Sequence, residues 1–174
     1  FNTNINFWPI LHDKLYFYLF IENILPTNRL HFFVKNKKIM SLNNPFSKNK
    51  IVSLLKHNNL ILKPIVGGKS QGIKIIKRIN LQYFINSKSY SIDELFDVII
   101  KLNQYCCFNF IEQHPILSNI YSYSSNTIRL VSFKINNEIK FISILRIGND
   151  MSKPFDNFSV GGMVAPIDIK TGVL

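Results

Sequence analysis

A chain of 174 residues is long enough to bury a core as one domain or as two small lobes sharing a cleft. Its 47% hydrophobic content, with 15 Phe and 7 Tyr, excludes a disordered chain, which carries few aromatics and too little apolar surface to fold. The formal charge of +11 favours polyanionic partners, but Lys is spread along the chain with no basic run beyond Lys35-Asn36-Lys37-Lys38, so charge alone does not choose among nucleic acid, anionic membrane and nucleotide phosphates.

From His12 to Leu25 apolar residues recur at helical spacing, and Pro26 stops the pattern. The apolar stretch from Leu15 to Leu25 is broken by Glu22 and Asn23 and falls short of the roughly 20 residues that cross a bilayer. A short strand is predicted over Leu30 to Val34 and a helix over Lys48 to His57; Leu60 to Val66 then reads as a buried strand carrying one lysine, Lys63. After a glycine-rich turn, Gly72 to Ile79 and Leu81 to Ile85 read as two more strands, antiparallel because so little chain separates them. Ser91 and Glu94 stand at capping-box spacing ahead of Leu95, Val98, Ile99 and Leu102, which continue with the helical period.

Tyr105 to Ile111 is strand-like and contains both cysteines, Cys106 and Cys107. A bridge between adjacent residues closes a strained ring, so a reducing, cytoplasmic setting is expected. Asn126 to Ile135 and Glu138 to Ile147 form a hairpin across Asn136-Asn137, and Met163 to Ile169 is a further strand. The simplest partition takes 1–47 as a helix and strand leading in, 48–104 as a first lobe, and 105–174 as a joining strand with part of a second lobe. The chain begins at Phe1 rather than Met and ends after the turn signal Lys170-Thr171-Gly172, so both ends are expected to be cuts in a longer protein.

The segment carrying most chemistry runs from Leu62 to Ile73. A buried strand delivers Lys63, and a loop of Gly67, Gly68, Lys69, Ser70 and Gly72 comes next. Such a loop can lay backbone N–H groups and the Ser70 hydroxyl around phosphates while Lys63 neutralises their charge. No Gly-Lys-Ser/Thr closes it onto a helix, so it is not a P-loop, and a strand rather than a helix succeeds it, so it is not the dinucleotide fingerprint. Taken alone, it is equally an ordinary hairpin loop. The four histidines show no metal-ligand spacing with cysteines or carboxylates, and no serine or cysteine nucleophile is paired with a base.

In context, this strand and loop resemble the lysine-bearing strand and phosphate loop of the ATP-grasp superfamily. Three later segments fit the same order: Gln113-His114-Pro115-Ile116-Leu117, Ser125-Asn126-Thr127-Ile128-Arg129-Leu130-Val131 and Asp156-Asn157-Phe158-Ser159-Val160-Gly161-Gly162, with Asp168-Ile169-Lys170-Thr171-Gly172 after them. The chain is most similar to the sugar-transfer-associated, hexapeptide-transferase-like ATP-grasp proteins, from about Asp13 to its last residue. The resemblance implies an α+β ATP-grasp fold, two small antiparallel-sheet lobes clamping ATP, incomplete at the C-terminus.

It also implies roles residue by residue. Lys14, Lys63, Gly67, Gly68, Ser70 and Gly72 would hold phosphates. The backbone of Cys106, Cys107, Phe108 and Asn109 would bond the adenine edge, although Asn109 stands where the family often has an acidic residue. Arg129 would meet the transferring phosphate or acyl phosphate, and Asn157 with Gly161-Gly162 would border the γ-phosphate and substrate.

The implied activity is ATP- and Mg²⁺-dependent ligation of a carboxylate to an amine or related nucleophile through an acyl phosphate, in cell-surface polysaccharide or envelope sugar biosynthesis. The metal ligands are expected beyond Leu174, so these residues alone would not turn over. Two alternatives stay open: a basic module binding RNA or another polyanion without chemistry, and a degenerate nucleotide-binding ATP-grasp domain.

Overall fold

The computed structural model describes residues 5–42, 46–68, 70–149, 151 and 156–174, which divide into two compact units, Phe1–Phe110 and Ile111–Leu174. The first is built on strands β1 (Leu30–Lys35), β2 (Lys38–Met40), β3 (Leu60–Pro64), β4 (Lys74–Ile79), β5 (Gln82–Ile85), β6 (Lys88–Tyr90) and β7 (Tyr105–Asn109). They form one sheet in the order β2-β1-β7-β3-β4-β5-β6 with every neighbouring pair antiparallel. Two of its hairpins close through pairs of left-handed residues, Asn36-Lys37 and Asn80-Leu81, the backbone that matches the twist of the strands on either side.

Side chains alternate across this sheet with the period of two, except where the β1–β7 register shifts between Leu30 and Phe32 and moves Leu30 to the other face. One set, including Phe32, Leu60, Leu62, Ile76 and Cys107, packs under helices α3 (Lys48–His57) and α4 (Ile92–Lys101), which contribute Ile51, Leu55, Leu95 and Ile99. The opposite set, Leu30, Cys106 and Phe108 with Ile65, packs beneath Leu15 and Tyr18 of α2 (Lys14–Ile21). The two faces therefore have different lids, and Lys63 belongs to the α2 face because Leu62 belongs to the other.

Capping decides the helix limits. The expected box at α4 is complete: Ser91 Oγ accepts from Glu94 N–H and the Glu94 carboxylate accepts from Ser91 N–H at 2.7 Å. At the N-terminal end the expected single helix over 12–25 is interrupted. A short helix α1 (Trp8–His12) comes first, and Asp13 then restarts the chain by accepting from Leu15 N and Tyr16 N, each at 2.9 Å. Strands β2 and β6, three residues each, were not expected from the sequence.

The boundary between units also differs from the expected partition. β7 pairs with β1 and β3, so residues 105–109 are an interior strand of the first unit's sheet, and residues 30–40 join that sheet rather than leading into it.

The second unit contains α5 (Pro115–Ile120) and a three-stranded antiparallel sheet, β10-β9-β8, of β8 (Thr127–Ile135), β9 (Glu138–Ile147) and β10 (Met163–Ile167). The long hairpin turns at Asn136-Asn137, both left-handed. All nine positions of β8 are exposed. Asn126, buried just ahead of β8, ties the unit together. Its Nδ2 donates to Leu117 O at 2.7 Å and Tyr121 O at 2.8 Å, its Oδ1 accepts from Ser124 Oγ at 3.1 Å, and its N–H goes to Gln113 Oε1. The whole is a mixed α+β fold with antiparallel sheets, consistent with an ATP-grasp domain. No helix among the described residues is long and apolar enough to cross a membrane.

Replacing Asn126 by Ala removes the side-chain donor from the carbonyls of Leu117 and Tyr121, of which Leu117 O keeps the Tyr121 N–H at 3.3 Å. Denaturant unfolding of Asn126→Ala is expected to show a loss of about 3 kcal/mol, whereas Ser91→Ala at the α4 cap loses about 1 kcal/mol.

Candidate functional site

Two half-buried lysines of the first unit, Lys14 and Lys63, lie near one another. Lys63 lies opposite Cys106 in the β3–β7 register, and its Nζ sits 5.7 Å from the centroid of the Phe108 ring, within cation–π range. Burial lowers its pKa below the ordinary lysine value, and the nearby charge of Lys14 lowers it further. Lys14, the first residue of α2, donates from Nζ to Gly67 O at 2.6 Å, and burial lowers its pKa as well. Two ammonium groups thus share a half-dry corner that disfavours their charge, the condition an incoming anion relieves.

The loop beside them is fixed at its ends and open in the middle. At the near end, Asp13 bridges Val66 and Lys14 N–H donates to Ile65 O at 2.9 Å. At the far end, Tyr105 Oη donates to Gly72 O at 3.0 Å, and a Cβ on Gly72 would stand 2.9 Å from that hydroxyl. Between the clamps, Gly67 has φ of +127°, and a Cβ at Gly67 or Gly68 would meet nothing within 4 Å. Ser70 is also left-handed, at φ +59°. Lys69 lies outside the described residues. An anchored loop with uncovered backbone next to two lysines can cradle phosphate oxygens.

Strand β7 does something other than what the sequence suggests. Cys106 and Phe108 share the Lys63 face, but Cys107 points into the core under α3 and α4. Both thiols are fully buried and free. Burial pushes the Cys106 thiol up to about 12 and the Cys107 thiol well above its ordinary value.

The backbone of 105–108 is registered against β1, and that of 105–109 against β3. Its N–H and C=O groups are spent on the two ladders. The Asn109 carbonyl accepts from Asn28 Nδ2 at 2.7 Å, while its Oδ1 meets His31 Nε2 at 2.7 Å. The backbone of Cys106, Cys107, Phe108 and Asn109, expected at an adenine edge, thus also carries the pairing that holds β7 in the sheet.

The second unit holds Arg129 and Asn157, and their side chains belong to one face of its sheet. Thr127 pairs with Arg146 and Arg129 with Ile144, so Thr127, Arg129 and Arg146 project together. Arg129 is exposed. Arg146, which the motifs of the sequence do not single out, forms a largely buried ion pair with Asp156 at 3.0 Å. The same guanidinium NH2 group donates to Asn157 Oδ1, and Thr127 Oγ1 donates to the second Asp156 oxygen. The loop closes through Gly162 N–H to Asn157 O at 3.0 Å, an approach so tight that a Cβ on Gly162 would stand 2.6 Å from Asp156 O. An arginine in the otherwise apolar end of β9, just before Gly148, was the available signal.

Among the described residues no group of three or more His, Cys, Asp or Glu side chains is placed to hold a metal ion. The polar machinery present fits an anion with its counter-charges.

Comparison with protein families matches residues 2–174 to the one described as sugar-transfer associated ATP-grasp. The chain belongs to that family. No curated protein and no solved structure matches it. Membership in the sugar-transfer associated ATP-grasp family implies ATP binding, and the anchored glycine loop of this ATP-grasp chain, with Lys14 and Lys63 beside it, suits a polyphosphate.

The buried thiols of the ATP-grasp chain give a direct check. At about pH 8 neither cysteine is expected to react with a disulfide reagent in the folded protein, and both react once it is denatured. Because the Cys106 pKa is raised on folding, its stabilising contribution is complete below the ordinary thiol value and is lost as pH rises through the folded value near 12.

Proposed function

We propose that this chain binds ATP through the corner formed by Lys14, Lys63 and the loop from Gly67 to Gly72, and serves an ATP-grasp ligase. In the reaction, a carboxylate oxygen attacks the γ-phosphorus and ADP departs, leaving an acyl phosphate. An amine or related nucleophile then attacks the acyl carbon, loses a proton and expels phosphate. Such transfer depends on holding the reactants in line and on stabilising spread negative charge. The family's description supports a setting in surface-polysaccharide or other envelope sugar biosynthesis.

The observation that carries this reading is the pairing of two burial-depressed lysines with an uncovered loop backbone. Lys63 sits on a rigid interior strand and supplies charge. The loop N–H groups supply directed donors. On the second unit taken by itself, Arg129 offers a planar fork that can bind two phosphoryl oxygens at once. The base edge is assigned to the end of β7, from Cys106 to Asn109, just before Phe110, whose N–H goes to Asn59 O at 2.8 Å. Mg²⁺ completes the ligase chemistry when bound.

Calorimetric titration with ATP tests the reading. Lys63→Ala is expected to weaken ATP binding by at least about tenfold, the scale of one lost charge-assisted contact. Absence of ATP binding by the unaltered chain, with salt-sensitive binding of RNA instead, would transfer the function to the polyanion-binding alternative. A second readout is protonic. Since phosphate charge raises the depressed lysine values back up, ATP binding at about pH 9 should take up protons, giving a heat that varies with the buffer's ionisation enthalpy.

A further inference from the structure

Beyond Lys14, helix α2 is apolar on both of its sides. Leu15 and Tyr18 pack on the cluster of Leu30, Ile65, Cys106 and Phe108, with the Tyr18 ring edge-on to Phe108 at 6.0 Å, and this contact fixes the rotation of the helix. The residues turned outward are Tyr16, Phe17, Leu19 and Phe20, all exposed. Trp8 in α1 and Ile24 just after α2, exposed by 60% and 65%, lengthen the same apolar surface at its two ends. A helix that is apolar all round belongs where both sides are covered, and a contiguous exposed patch of this kind marks a surface that meets something other than water.

The charge around this surface selects the partner. Residues 1–110 hold 15 Lys and Arg against 5 Asp and Glu, a net +10 out of the chain's +11. The strand period puts part of that charge on the side of α2. Lys35 shares a face with Phe33, which packs on the α2 cluster, and it stands opposite Lys38 in the β1–β2 ladder. Lys77 shares a face with Ile75, the partner of Ile61 in the same cluster. All three lysines are exposed. The acidic residues Asp93, Glu94 and Asp97 belong to α4, on the opposite face of the sheet. Lysine is depleted where proteins meet proteins. Lysines flanking an apolar surface that carries Trp and Tyr suit an anionic bilayer instead: the rings settle at headgroup level and the ammonium groups meet lipid phosphates.

We propose that the outward side of α1 and α2 is a docking surface for an anionic lipid bilayer, entered to the depth of side chains and not spanned. The inference stands on the first unit alone and is independent of nucleotide binding.

Trp8 is the chain's one tryptophan, so its fluorescence reports on this surface directly. With vesicles of phosphatidylcholine and phosphatidylglycerol, the emission is expected to shift to the blue and to be quenched by brominated acyl chains. Binding should be at least about tenfold tighter than to phosphatidylcholine alone and should weaken as salt is raised. Phe20→Glu, at an exposed position, should keep the unfolding midpoint and lower vesicle binding at least about tenfold. Lys35→Glu combined with Lys38→Glu should remove the preference for phosphatidylglycerol. Failure of the unaltered chain to bind phosphatidylglycerol vesicles overturns the proposal, and so does binding that Phe20→Glu leaves unchanged, which would put the lipid contact elsewhere. A blue shift that grows with protein concentration in the absence of vesicles, and is lost in Phe20→Glu, makes the surface a contact between copies of this chain and overturns it equally.

Discussion

The hydrogen bonds that β7 makes along both edges, to β1 on one side and to β3 on the other, set the character of the first unit. They place five consecutive residues in the middle of the sheet, where Cys106 and Cys107 lose all contact with water. The β7–β3 register puts Cys106 and Phe108 on the same face as Lys63. The lysine is thereby given apolar neighbours and an aromatic ring in place of a carboxylate, with a second ammonium, Lys14, close enough to feel it. Burying a cation without a counter-ion opposes stability. Lys14 has Asp13 near enough to favour its charge, whereas Lys63 has no such partner acting on it, so an incoming anion would relieve Lys63 most.

The second unit handles charge in the opposite way. Arg146 of the central strand β9 and Asp156 of the following loop pair with one another, and Thr127 donates to the second carboxylate oxygen. Nothing in that pair awaits an anion in order to be balanced. The consequence is orientation: the ion pair works as a fixed bracket for Asn157, while Arg129, on the same face but exposed, keeps its charge toward solvent. The first unit therefore holds charge that is only partly balanced, and the second holds an ion pair that is balanced within itself.

Features that depend on neighbouring residues were legible in the sequence. The α4 capping box needs only Ser91 and Glu94, and the β8–β9 hairpin needs only Asn136-Asn137 between two alternating runs. Features that depend on which strands meet were not. Lys35 to Lys38 reads as a short basic run because Lys37 is a poor indicator of left-handed backbone, yet it forms the β1–β2 turn. Residues 105–109 read as a strand and are one, but a sequence does not say that both its edges are taken. The Arg146–Asp156 pair was invisible because its partners come from β9 and a later loop and meet only once the sheet has formed. Asp13 could have been recognised as a helix cap; the apolar residues on both sides of it masked the break between α1 and α2.

Strands β4 to β6 are joined by two-residue turns and β3 reaches them through the glycine loop, so this meander can form as soon as it is synthesised, whereas β7 must come from beyond α4 to slot between β1 and β3. During translation β3 consequently spends an interval with one flank bare, its ladder groups open to any extended chain nearby. The segment whose Tyr105 clamps the far end of the glycine loop is also the one that retires this adhesive flank, so mutations that delay its arrival should be felt first as aggregation of newly made chains and only afterwards as a loosened loop.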